Sequence, residues 1–233
     1  MRRRFRIGQT PAPGERISLD ERASHHLIDV LRVPRGESIE LFDGAGRRWA
    51  ATLVDVQDGV AFAEIAGTRA APRDAPPREL VLAQTRKPAW ELALRMATEL
   101  GATRILPFVA QRSVALEDHN ERWQRILESA AQQCGRADLP QILPGAPLEQ
   151  QLQSCESPHR LVLLPGAPCL DPPDSGGVAL LIGPEGGLTE QEQSLARDLG
   201  FEAVGLGQWT LRADTAVVAA LARYGLPTPR STR

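Results

Sequence analysis

The stretch "ALLIGPEGGLTEQE", Ala179 to Glu192, sets three glycines and a proline between an apolar run and a T-x-x-E pair, Thr189 and Glu192, that signals a helix start. Gly183, Gly186 and Gly187 permit positive φ and let backbone amides approach a ligand, while Pro184 stiffens the turn. A second loop, "GQWTLRADTAVV", again follows an apolar run with a glycine and then sets Arg212 and Asp214 two residues apart at a helix start. A third, "LLPGAP" from Leu163, also leaves an apolar run. Three such loops can close around one small molecule and offer it mainly backbone groups and apolar side chains, which suits an adenine-bearing ligand better than a polyphosphate. The same glycines would serve a tight strand-to-helix reversal. Neither a Walker lysine nor G-x-G-x-x-G spacing is present, which sets aside the standard phosphate and dinucleotide sites. Arg212 could stabilise a developing anion or clamp a phosphate, and Asp214 could hold Arg212 or accept a proton. A surface ion pair with Asp214 at a helix N-terminus is the plainer alternative for both. Glu185, between glycines, reads as loop-shaping before it reads as a base.

The elements that must carry these loops alternate. "ELVLAQ", "TRILPFVA", "RLVLLP", "GVALLIG" and "FEAVGL" are apolar runs with little polar alternation, as expected of strands buried on both faces of a parallel sheet. Between them "AWELALRMATELG", "HNERWQRILESAAQQCG", "LTEQEQSLARDLG" and "DTAVVAALARYG" have helical periodicity, two of them stopping at Gly101 and Gly135. Open sheets of this kind bind ligands at the carboxyl ends of their strands, where all three loops fall. Upstream, "SIELFDGAGRRWAATLVDVQDGVAFAEI" alternates in short β-rich runs around "DGAG" and "QDG" turns and predicts a small antiparallel barrel. "SHHLIDVLRV" predicts one short helix with Ser24 as its cap. The proline-rich stretch around "APRDAPPR" separates the two. The expected organisation is a β domain over 1–70, a linker over 71–78 and an α/β domain over 79–233.

Composition narrows the function classes. A net charge of −2 and a 42% hydrophobic fraction describe a globular chain, and no run approaches the ~20 apolar residues of a membrane helix. The cationic start "MRRRFRIG" is followed by no apolar signal region, so a cytoplasmic protein with no membrane partner is expected. Cys134, Cys155 and Cys169 make no CxxC pair and His25 and His26 point apart on a helix, so no metal and no disulfide framework are expected. Residues 1–78 hold 13 arginines against 11 acidic residues, and the four arginines among the first six positions could reach phosphates. Arg2, Arg3, Arg4 and Arg32 in this part, and Arg136 near a helix end, are the candidate RNA contacts.

"LLIGPEGGLTEQE" followed after a short helix by "LGQWTLRADTAVVAAL" resembles the two C-terminal motifs of the SPOUT methyltransferases. It most resembles the ribosomal RNA small subunit methyltransferase E family, which methylates N3 of a uridine in small-subunit ribosomal RNA. "HHLIDVLRVPRGESIELFDGAG", "ATELGATRILP" and "AAQQCGRADLPQI" extend the likeness over nearly the whole chain. The resemblance implies an N-terminal PUA-like barrel, a C-terminal α/β domain threaded into a trefoil knot, S-adenosylmethionine as cofactor, small-subunit ribosomal RNA as substrate and a homodimer. Carried over by position, the cofactor would meet Leu164 and Pro165, then Ile182, Gly183, Pro184, Glu185, Gly186 and Gly187, then Leu206, Gly207 and Leu211. Arg212 and Asp214 would face the reacting centre. The chain departs from the family's pattern at Met96, Gln132, Trp209 and Thr210, and Asp214 stands where a glutamate is usual. Methylation of a different RNA, or a non-catalytic RNA-binding protein with the same fold, are the competing readings.

Overall fold

The computed structural model describes residues 3–69, 76–113, 120–173 and 175–225. They divide into two compact units, one drawn from 1–73 together with 131–139, the other from 74–130 and 140–233. In chain order the elements are β1 (Arg4–Arg6), β2 (Arg16–Ser18), α1 (Glu21–His25), β3 (Ser38–Phe42), β4 (Arg48–Gln57), β5 (Val60–Arg69) and β6 (Arg78–Ala83). Then come α2 (Lys87–Glu99), β7 (Arg104–Phe108), α3 (Asn120–Cys134), β8 (Gln141–Ile142), α4 (Leu148–Gln153) and β9 (His159–Leu163). β10 (Val178–Ile182), α5 (Glu190–Asp198), β11 (Glu202–Val204) and α6 (Ala213–Ala220) complete the order. β6 starts inside the stretch assigned to the linker, whose residues 71–75 lie outside the described ones.

The first unit is a five-stranded sheet ordered β1-β3-β4-β5-β2. It is mixed rather than wholly antiparallel, because β1 pairs parallel with β3. β4 and β5 form a hairpin closed by Asp58 and Gly59, both at positive φ (49° and 80°), the primed turn that "QDG" foretold. Alternate residues Trp49, Ala51 and Leu53 on β4 and Ala61, Ala63 and Ile65 on β5 are buried together with Phe5, Leu27 and Leu41. The short helix differs from expectation. Its cap is Asp20, whose Oδ1 accepts from Ala23 N at 2.7 Å. Ser24 is buried, donates to the Leu19 carbonyl and accepts from Ala61 N, so it ties α1 to β5 instead. Residues 26–30 continue α1 as a wide turn in which Leu31 N reaches the His26 carbonyl at 2.9 Å.

Residues 131–139 join this unit through main-chain bonds: Leu139 N to the Gly44 carbonyl at 2.8 Å and Gly46 N to the Ala137 carbonyl at 3.1 Å. Arg48 donates to the Gly135 carbonyl at 2.6 Å. Glu40, 5% exposed, lies 2.9 Å from Arg4, 3.5 Å from Arg69 and 3.7 Å from Arg48. Those arginines are therefore committed to compensating one buried carboxylate, which would be costly to leave alone.

The second unit is a fully parallel sheet ordered β11-β9-β10-β6-β7-β8. The central strands "RELVLA" and "VALLI" are buried at every position. Their residues alternate between two cores: Leu80, Leu82, Leu180 and Ile182 face Trp90, Leu94, Trp123, Leu127 and Val217 from α2, α3 and α6. Val81, Ala83, Ala179 and Leu181 face Leu148, Leu152 and Ala196 from α4 and α5. The helices are amphipathic accordingly, α2 burying Trp90, Ala93, Leu94, Ala97 and Thr98, one stripe of the 3.6-residue period. Trp90 meets Trp123 edge to face at 5.4 Å. Periodicity did not reveal the two-residue β8 or the six-residue α4, which are too short to show a repeat.

Among the described residues no helix is long and apolar enough to cross a membrane, and no three His, Cys, Asp or Glu side chains are grouped to hold a metal ion. The cysteines are free, Cys134 and Cys169 exposed and Cys155 buried. Burial, and then the nearby Glu79 carboxylate, push the Cys155 thiol up to about 12. Because the thiolate is the nucleophile, a thiol above the working pH is protected twice, by access and by protonation. At pH 8 an alkylating reagent is expected to label Cys134 and Cys169 of the native protein within minutes and Cys155 only after denaturation. Mass spectrometry of the labelled peptides checks this, and rapid native labelling of Cys155 would contradict it.

Candidate functional site

The sheet order explains where a ligand can sit. From β6 the chain steps outward to β7 and β8, then crosses to the other side, where β10 is laid between β6 and β9 and β11 outside β9. A crevice opens at the carboxyl ends of the strands where the winding direction reverses. The loops leaving β9, β10 and β11 meet there and enclose a cavity of about 240 Å³.

Each loop has a local reason for its shape. After β10, Gly187 N donates to the Pro184 carbonyl at 2.8 Å, closing a tight turn in which Gly187 has φ 72°, a region that penalises any side chain with a Cβ. The turn ends at Thr189, whose hydroxyl accepts from Glu192 N while the Glu192 carboxylate accepts from Thr189 N at 2.7 Å, the reciprocal cap that T-x-x-E predicted for α5. The loops after β9 and β11 are joined to each other: Leu164 N donates to the Val204 carbonyl at 3.0 Å and Gly205 N to the Pro168 carbonyl at 2.8 Å.

The cavity is lined by Leu163, Leu164 and Pro165 from the first loop, by Ile182, Gly183, Pro184, Glu185, Gly187 and Leu188 from the second, and by Val204, Leu206, Gly207, Trp209, Thr210 and Leu211 from the third. Gln193 of α5 and Ala213 and Ala216 of α6 complete it. Ten of the eleven positions singled out for the cofactor thus converge. Gly186 does not: a Cβ built on it would lie 3.1 Å from the Arg112 Cβ, and it lines a neighbouring cleft. Leu163, Leu188, Gln193, Val204, Ala213 and Ala216 went unread. Leu163 and Val204 stand at strand ends, Leu188 just before the cap of α5, and Gln193, Ala213 and Ala216 in the first turns of helices, where none carries a ligand-binding signal of its own.

The neighbouring cleft, about 520 Å³, is lined by Gln84, Thr85, Arg86, Pro88 and Ala89 after β6, Arg112 and Ser113 after β7, and Glu185, Gly186 and Arg212. Since β10 lies between β9 and β6, its loop is the wall shared by the two cavities, and Glu185 lines both. Arg212 is exposed and stands just before α6; it belongs to the cleft and not to the first cavity. Asp214 lines neither. Its Oδ1 accepts from Thr215 N at 2.8 Å and lies 3.9 Å from Arg212 Nε, so it secures the first turn of α6 and makes only a loose ion pair.

Of the candidate RNA contacts, Arg2 lies outside the described residues. Arg3 is 3.6 Å from Glu37, Arg4 is bound to Glu40, and Arg136 is paired with Asp138 at 2.5 Å. Arg32 is exposed at positive φ (48°). An intramolecular partner therefore competes with phosphate for three of the five.

The RNA methyltransferase domain profile matches residues 73–225, and the RNA methyltransferase PUA domain profile matches residues 19–66. Ribosomal RNA small subunit methyltransferase E of Synechocystis is 34% identical, the match covering 89% of this chain and 72% of that protein. The Mycobacterium bovis protein of the same name is 30% identical over 97% of this chain and 92% of its own length. Among solved structures, ribosomal RNA small subunit methyltransferase E of Neisseria gonorrhoeae, bound to S-adenosylmethionine, superposes with a TM-score of 0.89 at 33% identity, covering 95% of this chain and 96% of that one. A Legionella pneumophila protein with S-adenosylmethionine bound as cofactor gives a TM-score of 0.86 at 28% identity with the same coverage. With a parallel α/β unit carrying three convergent loops, a mixed-sheet PUA unit and relatives matched over nearly their full length, the chain belongs to the ribosomal RNA small subunit methyltransferase E family.

Proposed function

We propose that this chain transfers a methyl group from S-adenosylmethionine to N3 of a uridine in small-subunit ribosomal RNA. The observation that carries the reading is the apolar cavity closed by the loops after β9, β10 and β11, in a fold shared over 95% of the chain with two S-adenosylmethionine-bound structures. The donor set fits that cofactor. Leu163, Ile182, Leu188, Val204, Leu206 and Leu211 offer apolar walls to a purine, and the glycine turn offers backbone groups without an intervening Cβ. When bound, the cofactor supplies an electrophilic methyl group on a sulfonium sulfur.

The protein's own part is positioning and charge. The chain has to hold the uracil ring at the wall where the two cavities adjoin, so that N3 faces the cofactor side, because most of the help available to a displacement of this kind is orientation. As N3 gives up its proton to solvent water, negative charge develops on the ring and its carbonyl oxygens. A cation already in place stabilises that charge without reorganisation. Arg212 is assigned this role from its place in the cleft next to Glu185. Asp214 is assigned a positioning role, as the carboxylate that lies 3.9 Å from the Arg212 guanidinium. The homodimer belongs to the same reading, supported by the exposed apolar residues Leu92, Val109 and Trp209. Sedimentation at micromolar concentration tests it.

Binding is expected to raise the melting temperature, since a ligand that binds only the native state adds about 2.7 kcal/mol at a hundredfold excess over Kd. Calorimetry that finds no binding of S-adenosylmethionine or of its demethylated product would remove the cofactor assignment. The reading as a whole is tested by incubating the protein and labelled S-adenosylmethionine with small ribosomal subunits from cells lacking this enzyme, then mapping the modified nucleotide. Label at N3 of a single uridine is expected. Label elsewhere identifies a different RNA site, and binding without label identifies a non-catalytic protein.

A further inference from the structure

We propose that the cleft beside the cofactor cavity is a binding subsite for the target nucleotide, in which Arg86 and Arg112 hold an RNA phosphate and the Thr85 hydroxyl donates to a carbonyl of the base. The proposal rests on the methyltransferase reading and adds to it the residues that hold the substrate.

Three observations carry it. First, the cleft shares one wall with the cofactor cavity, the loop after β10, so a nucleotide bound there can present an edge across Glu185 to the transferred methyl group. Second, its lining brings three guanidinium groups, Arg86, Arg112 and Arg212, against the single carboxylate of Glu185. Arg86 is exposed and makes no ion pair among the described residues, so its charge is available to a ligand. An electropositive pocket of that kind takes an anion, and on an RNA the anion is phosphate. Third, Thr85 lines the cleft, and its hydroxyl has no hydrogen-bond partner among the described residues, so it is open to a ligand. A pyrimidine carbonyl entering the cleft would satisfy it.

Arg112 has a second task. Its Nη1 donates to the Gly186 carbonyl at 3.1 Å, and Gln111 N donates to the Glu192 carboxylate at 2.9 Å. The turn after β7 is thus fastened to the glycine loop that walls the cofactor cavity. Phosphate on Arg112 would therefore be held in register with that loop, which couples substrate placement to cofactor placement through two short contacts.

The test uses the full-length protein and small ribosomal subunits lacking the modification, with three readouts on each variant: melting temperature, cofactor Kd by calorimetry, and single-turnover methyl transfer as a function of subunit and salt concentration. Arg86→Gln is expected to raise the half-saturating subunit concentration about tenfold and to lower the slope of log affinity against log salt by about 1, as for the loss of one phosphate contact. Thr85→Val is expected to slow transfer about tenfold with the salt slope unchanged, and Thr85→Ser to restore it. Cofactor Kd should stay within twofold in all three. Wild-type half-saturation and salt slope in Arg86→Gln, or wild-type transfer in Thr85→Val, would overturn the subsite. A Thr85→Ser protein that stays as slow as Thr85→Val would also overturn it, since shape and not the hydroxyl would then matter. If the unaltered protein itself methylates no subunit, the methyltransferase reading fails and the subsite with it, an outcome distinct from failure of the variants alone.

Discussion

Arg212→Ala is expected to bind S-adenosylmethionine within about twofold of the unaltered protein while transferring methyl groups on the order of 10²-fold more slowly, the cost typical of deleting one preorganised electrostatic donor. The separation follows from where the side chain stands. Arg212 lines the cleft and not the cofactor cavity, so its loss removes nothing that touches the cofactor. Its side chain is 74% exposed and its nearest carboxylate, Asp214, is 3.9 Å away, so little of the fold depends on it. An interaction that strengthens only as charge develops lowers the barrier without tightening the ground state, and its removal appears in the rate at saturating cofactor. Calorimetric Kd and single-turnover transfer on one preparation decide the matter. Transfer at the unaltered rate, or a loss that merely tracks weakened cofactor binding, would make Arg212 a surface residue and nothing more.

How much of this was legible in the sequence depends on how local the cause is. The turn at Asp58 and Gly59, the reciprocal cap of Thr189 and Glu192, and the apolar strands all declare themselves, because each is decided within a few residues. The three loops that converge on the cavity could be read for the same reason: an apolar run that ends in glycine reports a strand's carboxyl end wherever the strand lies in the sheet. Ser24 misled because Asp20, four residues earlier, is an equally good cap and leaves Ser24 free to bond Leu19 and Ala61 across the unit. Arg4 reads as a free cation, since nothing local announces that Glu40 will be buried beside it. Gly186 looks identical to its neighbours in "GPEGG", but the turn points it at Arg112, a residue 74 positions earlier. The cleft was missed although its signal exists. "LAQTR" after β6 and "FVAQRS" after β7 also turn from apolar to polar at a strand's carboxyl end, but without a glycine to mark the change.

Gly205→Ala is expected to weaken cofactor binding by about 10- to 100-fold without unfolding the protein. Gly205 carries no positive φ, so the objection to a side chain there is space and not backbone conformation. A Cβ at this position would run into the Ala167 carbonyl oxygen, a main-chain atom that cannot swing aside as a flexible side chain can. Gly205 N is already held by the Pro168 carbonyl at 2.8 Å, and Leu164 N by the Val204 carbonyl at 3.0 Å, so the loops after β9 and β11 are fastened on both sides of the collision. To admit the methyl group they must part. Two of the three loops that close the cavity would then be displaced together, while the central strands β6 and β10, buried at every position, keep their place. Forcing one extra carbon into a well-packed contact costs typically 1–3 kcal/mol, and about 1.4 kcal/mol is a factor of ten in affinity. The comparison is Gly67→Ala in the first unit, where an added Cβ has no neighbour within 4 Å and φ is not positive; it should leave cofactor Kd unchanged. If Gly205→Ala binds S-adenosylmethionine as tightly as Gly67→Ala does, the two loops are not the closed wall of the cofactor site, and the cavity between them has been assigned to the wrong ligand.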